Sequence, residues 1–222
     1  MGWNFLCCVN AHPERSKKKF STATSLDLSR CNLYDIPLEE LSAIDPEILI
    51  DLDLSYNKLE DLNPLLLKCK NLKNLNISDN QLKTIPDALS DAFQNLQDLN
   101  LSHNNLDVIP TVIGSLQYLS RLDLSNNSIQ KILDGTVTEL VNLKELRLSS
   151  CAITFLPANI GKLIKLETLE LRENYLETLP PTIKLLQKLK LLDMGRNNFE
   201  DLPAGKFDKP FSKKKNSIKT FF

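Results

Sequence analysis

The chain has 222 residues and a formal net charge of −1. That length suffices for one domain with a real core, and the balanced charge argues against a general nucleic-acid binder, which carries a basic excess. No apolar run approaches the ~20 residues that cross a bilayer, so membrane contact is expected to be peripheral; five irregularly spaced cysteines make no disulfide framework and suit the cytosol.

Residues 1–22 read as a flexible leader. Trp3 to Val9 is apolar but short, and Asn4 interrupts it. Arg15, Lys17, Lys18 and Lys19 follow it instead of preceding it, the reverse of a secretory signal. Met1-Gly2 resembles the start of a myristoylation signal, but Leu6 stands where that signal needs Ser or Thr. Cys7 and Cys8 are adjacent and flanked by Phe5, Leu6 and Val9. Acyl chains on these thiols, beside the basic run, would supply the two signals that stable anchoring requires. An unmodified leader is the competing reading.

Residues 23–203 repeat the pattern LxxLxLxxN eight times, at intervals of 23 to 26 residues. The fourth position holds Leu26, Leu52, Leu75, Leu99, Leu122, Leu146, Leu169 and Leu192. The sixth holds Leu28, Leu54, Ile77, Leu101, Leu124, Leu148, Leu171 and Met194. The ninth holds Cys31, Asn57, Asn80, Asn104, Asn127, Cys151, Asn174 and Asn197. This is the period and pattern of leucine-rich repeats. Positions four and six alternate with polar neighbours, as in a short strand with one buried face. The Asn has the donors and acceptor to satisfy turn backbone that would otherwise be buried unpaired, and Cys can stand in as a small, weak donor. Pro86, Pro110, Pro157, Pro180 and Pro203 end the strand segment. The three-residue spacing of Ile113, Leu116 and Leu119, and of Ile160, Leu163 and Leu166, suits a short helical turn. The expected fold is α/β: a right-handed leucine-rich-repeat solenoid, a horseshoe with a parallel sheet on the concave face and short helical turns on the convex face.

Residues 204–222 read as a basic tail. Lys206 and Lys209 stand where Ile and Leu belong, and Lys213 to Lys215 follow. Either Phe207 and Phe211 fold back as an improvised cap or the array has been cut short; the lack of a designed cap favours truncation.

No catalytic constellation is present, and no cofactor, metal or small-molecule substrate is expected. HExxH, GxxxxGK and GxSxG are absent. His12 and His103 have no acidic or thiol partner at a known spacing. Cys69 reads as an apolar filler between Leu66 and Leu72. The concave face is expected to carry positions two, three, five, seven and eight. Candidate contact residues are Asp53, Tyr56, Asn76, Asp98, Asn100, His103, Arg121, Asp123, Arg147, Glu170, Arg172 and Glu173. They form a mainly acidic, hydrogen-bonding concavity with a serine ladder from Ser29 to Ser149 and an arginine patch at Arg121, Arg147 and Arg172. Such a face is either merely solvated or a groove for a partner with basic and some acidic residues.

From Leu156 the chain reads LPANIGKLIKLETLELRENYLETLP, then MGRNNFEDLP, after an opening repeat LDLSRCNLYDIP. These runs resemble the leucine-rich-repeat region of the LAP family, the Scribble and Erbin type of polarity scaffold. The resemblance covers about Cys7 to Pro203 and is most specific at Glu170-Leu171-Arg172-Glu173-Asn174. It implies a cytoplasmic, non-enzymatic adaptor at the plasma membrane and cell junctions, acting in polarity and signalling. It also implies acylated N-terminal cysteines. Family members carry longer arrays, many with PDZ domains; this chain has neither, which implies a short form. The alternative is a soluble regulatory subunit that docks on a phosphatase or a small-GTPase pathway enzyme.

Overall fold

A computed structural model describes residues 23–36, 45–133 and 135–199, and the backbone of 219–221. Eight three-residue strands stack in sequence order: β1 Ser25–Asp27, β2 Asp51–Asp53, β3 Asn74–Asn76, β4 Asp98–Asn100, β5 Arg121–Asp123, β6 Glu145–Arg147, β7 Thr168–Glu170 and β8 Leu191–Asp193. All seven pairings between them are parallel. Each puts a position-four leucine beside the next one, as Leu99 beside Leu122 and Leu122 beside Leu146. The fourth and sixth columns are buried in every repeat, so the alternation in sequence does set the inward face.

The return segments are 3-10 turns, for example Thr111–Ser115 and Ala158–Lys162. Their three-residue apolar spacing is the period of that helix, and one line of bonds runs Ile113 N–H to Pro110 O, Leu116 N–H to Ile113 O and Leu119 N–H to Leu116 O, at 3.0–3.1 Å. Pro86, Pro110, Pro157 and Pro180 each stand immediately before such a turn. Where Asn63 replaces proline, its side chain accepts from the Leu65 N–H and caps the turn instead. Cys69 is buried among these turns, and burial pushes its thiol up to about 11.

The ninth column joins the repeats. Asn127 Nδ2 donates to Leu124 O and Ser125 O of its own unit and to Leu101 O of the unit before, at 2.9–3.3 Å; its Oδ1 accepts from the Leu106 N–H at 3.0 Å. Asn57, Asn80, Asn104, Asn174 and Asn197 repeat this set, offset by one unit each time. Cys151 keeps only a weak part of it, with Sγ 3.4 Å from Leu124 O. Burial pushes that thiol to about 11, so it stays a neutral donor at physiological pH.

One element departs from expectation. The sheet has nine strands, because β9 (Lys219–Phe221) pairs antiparallel with β8. Within the segment read as a basic tail, Lys219–Phe221 thus lies at the sheet edge. Phe207 and Phe211, the alternative improvised cap, lie outside the described residues.

Leu122→Ala should cost ~2–5 kcal/mol, because both flanking units lose a packed neighbour. Asn127→Ala should cost ~1–3 kcal/mol through unpaired buried backbone. Cys151→Asn should gain about 1 kcal/mol by offering an oxygen to the Ile129 N–H, the counterpart of the Leu106 and Ile153 N–H groups that Asn127 and Asn174 already serve. Urea melts read all three. A neutral Leu122→Ala would contradict the packing, and a destabilising Cys151→Asn would contradict the equivalence of the column.

Candidate functional site

The sheet's register turns each repeat position into a column across the concave face, and the columns do different jobs. In position five, the side-chain oxygens of Asp27, Asp53, Asn76, Asn100, Asp123 and Asp193 accept the backbone N–H two residues on, at 2.8–3.2 Å. These are Asx turns, and they finish each strand. Four of the candidate contact residues, Asp53, Asn76, Asn100 and Asp123, therefore carry a structural duty. Asp53 also accepts from Asn76 Nδ2 at 3.1 Å. Arg147 and Glu170 share the column without this duty and bond each other at 3.3 Å instead.

Position seven corrects the sequence reading. Ser55, Ser78, Ser102 and Ser125 are buried, so the middle of the serine ladder is not an exposed hydrogen-bonding surface, while Ser29 and Ser149 at its ends are half-buried. The carbonyl of each position-seven residue from Ser55 onward accepts the N–H of position eight in the preceding unit, as Tyr56 to Ser78 and His103 to Ser125, at 2.9–3.0 Å.

Position eight is the exposed ridge. Arg30, Tyr56, Asp79, His103, Asn126, Ser150, Glu173 and Arg196 all have φ between 52 and 59°. Left-handed backbone costs a non-glycine residue about 1–2 kcal/mol; all of these residues but Arg196 also donate their N–H to position seven of the next unit. The Arg30 guanidinium lies 4.5 Å from the Tyr56 ring centre. His103 Nε2 sits 3.1 Å from Asn126 Nδ2. Glu173 gathers the Ser150 hydroxyl at 2.9 Å and Arg196 at 2.6 Å. The Ser150 bond, assisted by the arginines, holds its carboxyl below the usual range. This contribution is therefore present above the ordinary carboxylate range and is lost as pH falls through the depressed value.

Each arginine of the expected patch is paired with carboxylates. Arg121 bonds Asp98 through Nε at 2.7 Å, an interaction that strengthens its hold on its proton. Arg147 lies among Asp123, Glu145 and Glu170 at 3.9, 3.4 and 3.3 Å. Arg172 meets Glu173 at 3.4 Å. Reading down the columns would have shown the pairs with Asp98, Asp123 and Glu170, since Asp98 precedes Arg121 in position three, and Asp123 and Glu170 flank Arg147 in position five. The same procedure would have found Arg30 beside Tyr56. Among the described residues no group of three or more His, Cys, Asp or Glu is placed to hold a metal. Cys7 and Cys8 lie outside the described residues.

The two kinds of acid separate experimentally. Asp53→Ala should cost ~1–3 kcal/mol, because it strands the Ser55 N–H. Glu170→Ala should stay within ~0.5 kcal/mol. Thermal melts of the two variants compare them, and equal costs would erase the distinction.

Known proteins share this architecture. A model described as leucine-rich repeat region matches residues 130–207, and one described as leucine rich repeat matches 51–106, 70–117 and 94–153. Leucine-rich repeat-containing protein sog2 of Schizosaccharomyces pombe is 38% identical over 66 residues, 30% of this chain and 7% of that protein. Among solved structures, a leucine-rich-repeat protein of Leptospira interrogans superposes with a TM-score of 0.67 at 27% identity, over 86% of this chain and 59% of that one. The Arabidopsis receptor kinase HAESA, in complex with the peptide hormone IDA and the co-receptor SERK1, gives 0.68 at 29% identity, over 82% and 31%. The chain thus spans less than two thirds of each of these relatives. The matches fall on the repeats that build the sheet, between 51 and 207, and identify this part of the chain as a leucine-rich-repeat region.

Proposed function

We propose that this chain is a protein-binding adaptor whose concave face, centred on β5 to β7, grips a charged partner, and that it works at the cytoplasmic side of the plasma membrane or a cell junction in polarity and signalling. The observation that carries the binding reading is Arg147. It occupies a column otherwise given mainly to turn-forming Asp and Asn, performs no turn duty, and holds a half-exposed guanidinium among three carboxylates. Charge spent on a site the fold does not need is consistent with recognition. Leucine-rich-repeat folds are typically non-enzymatic interaction modules, and the HAESA structure captures a peptide and a protein partner. The membrane and polarity part rests on the resemblance to the LAP family and on Cys7 and Cys8 beside a basic run.

Arg147→Asn tests the binding site without risk to the fold, because Asn76 and Asn100 already serve in that column. The expected outcome is a thermal midpoint unchanged or slightly raised, with loss of the partners that the intact chain labels by proximity in cells. An unchanged set of partners would mean a merely solvated face. If the partner recovered is the catalytic subunit of a phosphatase or a small GTPase, the regulatory-subunit reading replaces the adaptor.

The anchor has its own test. Each acyl methylene buried contributes ~0.8 kcal/mol, and each of Arg15, Lys17, Lys18 and Lys19 adds about 1 kcal/mol against an anionic leaflet. Acyl exchange should detect thioesters on the wild type and none on Cys7→Ser/Cys8→Ser, which should move to the soluble fraction. No thioester on the wild type, or a double variant that still sediments with membranes, would show that lipidation is not the anchor.

A further inference from the structure

We infer that the outer edge of β8 is a docking site for an extended segment reading basic–polar–aromatic, and that the chain's own β9 is its built-in occupant. The backbone of β8 defines the site. Leu191 N–H donates to Glu167 O at 3.0 Å, and Asp193 O accepts from the Leu171 N–H at 2.7 Å, so both residues turn their peptide groups toward β7. By strand alternation Leu192 presents its N–H and C=O outward, where an unpaired edge would recruit another strand. A ninth repeat would pair there in parallel. Instead β9 pairs antiparallel, with Thr220 opposite Leu192, Phe221 opposite Leu191 and Lys219 opposite Asp193.

The side chains of β8 make the edge selective. Position three is polar or charged in β1 to β7: Ser25, Asp51, Asn74, Asp98, Arg121, Glu145 and Thr168. In β8 it is Leu191, which suits an apolar residue opposite. Asp193 is 4% exposed, the most buried of the position-five acids, and a base stands opposite it in the register. Acid opposite base and apolar opposite apolar are the favourable cross-strand combinations. Two β8 edges from separate copies, paired antiparallel about Leu192, would instead set Leu191 against Asp193. The edge thus favours a Lys219–Phe221-like strand over a copy of itself. A partner that adds such a strand must displace β9, so docking here is held off in cis. This surface is distinct from the concave face, and the two readings stand or fall separately.

The experiment uses the full chain and a labelled peptide with the sequence of residues 217–222. Thr220→Pro removes the N–H that pairs with Leu192 and unseats β9 without touching β8. The variant should bind the peptide at least about tenfold more tightly than the wild type, whose own strand competes at a high effective concentration. A peptide with Glu in place of its Lys should bind several-fold more weakly. Adding Leu191→Glu to the Thr220→Pro chain should abolish binding while the chain stays folded, because Asp and Glu already occupy that column elsewhere. Equal binding by wild type and Thr220→Pro, no binding to Thr220→Pro, or indifference to the Lys-to-Glu change would each overturn the proposal.

Discussion

Everything in this molecule depends on the side-chain amide that turns the chain out of each strand. One Asn in the ninth column bonds two carbonyls of its own unit and one of the preceding unit, and accepts an N–H from that preceding unit as well. No unit can bury its own leucines alone, so stability resides in the contacts between neighbours. The Asn column makes those contacts directional. It fixes how one unit sits on the next, and so sets the register that aligns every other column. Cys151 marks the one step among the described repeats where the amide is missing, and there the preceding unit is met by a single weak thiol bond besides packing and the strand ladder.

The convex side obeys the same spacing by other means. Gly161 faces the next turn so closely that an added Cβ would lie 2.8 Å from both Thr182 Cβ and Thr182 O. A side chain there would push adjacent 3-10 turns apart and strain the Asn bonds on the other side of the unit. Asn71, Asn95 and Asn142 donate to carbonyls of the preceding unit, forming a second, partial amide ladder along the convex side. Inner and outer spacings are therefore both specified, and their difference is the curvature that exposes the concave columns.

The repeats were legible because their information is periodic. Leu122 and Asn127 could be assigned from sequence alone, since each has counterparts at equivalent places in the other units. Burial of Ser55 and Ser78 was not legible, because the same residue type at position seven is buried in the central units and only half-buried at Ser29 and Ser149. The left-handed backbone of position eight was hidden too. Arg, Tyr, Asp, His and Glu carry no common preference for it, so residue type alone does not announce the conformation. β9 is not periodic at all. It is a short strand paired across a long chain separation, and only the departure of Leu191 from a polar column hints at it. The ion pairs of Arg121 with Asp98 and of Arg147 with Asp123 and Glu170 were readable down the columns, whereas those of Arg147 with Glu145 and of Arg172 with Glu173 lie within a unit.

That columnar arrangement bears on how the concave face can recognise anything. Arg121 sits beside Asp98, and Arg147 sits among Asp123, Glu145 and Glu170. Opposite charges a few ångströms apart cancel beyond about one Debye length, ~8 Å in physiological salt. Four carboxylates against two guanidiniums nevertheless leave the centre of the face acidic, which favours the approach of a basic partner. At contact such a partner exchanges pairs, giving Arg147 a carboxylate of its own or giving Glu170 a base. Each exchange replaces one exposed pair by another, so net affinity gains are small, while a misplaced charge meets repulsion from the adjoining column. Such a surface discriminates by geometry, and the geometry comes from the Asn column that sets the spacing of the strands beneath it.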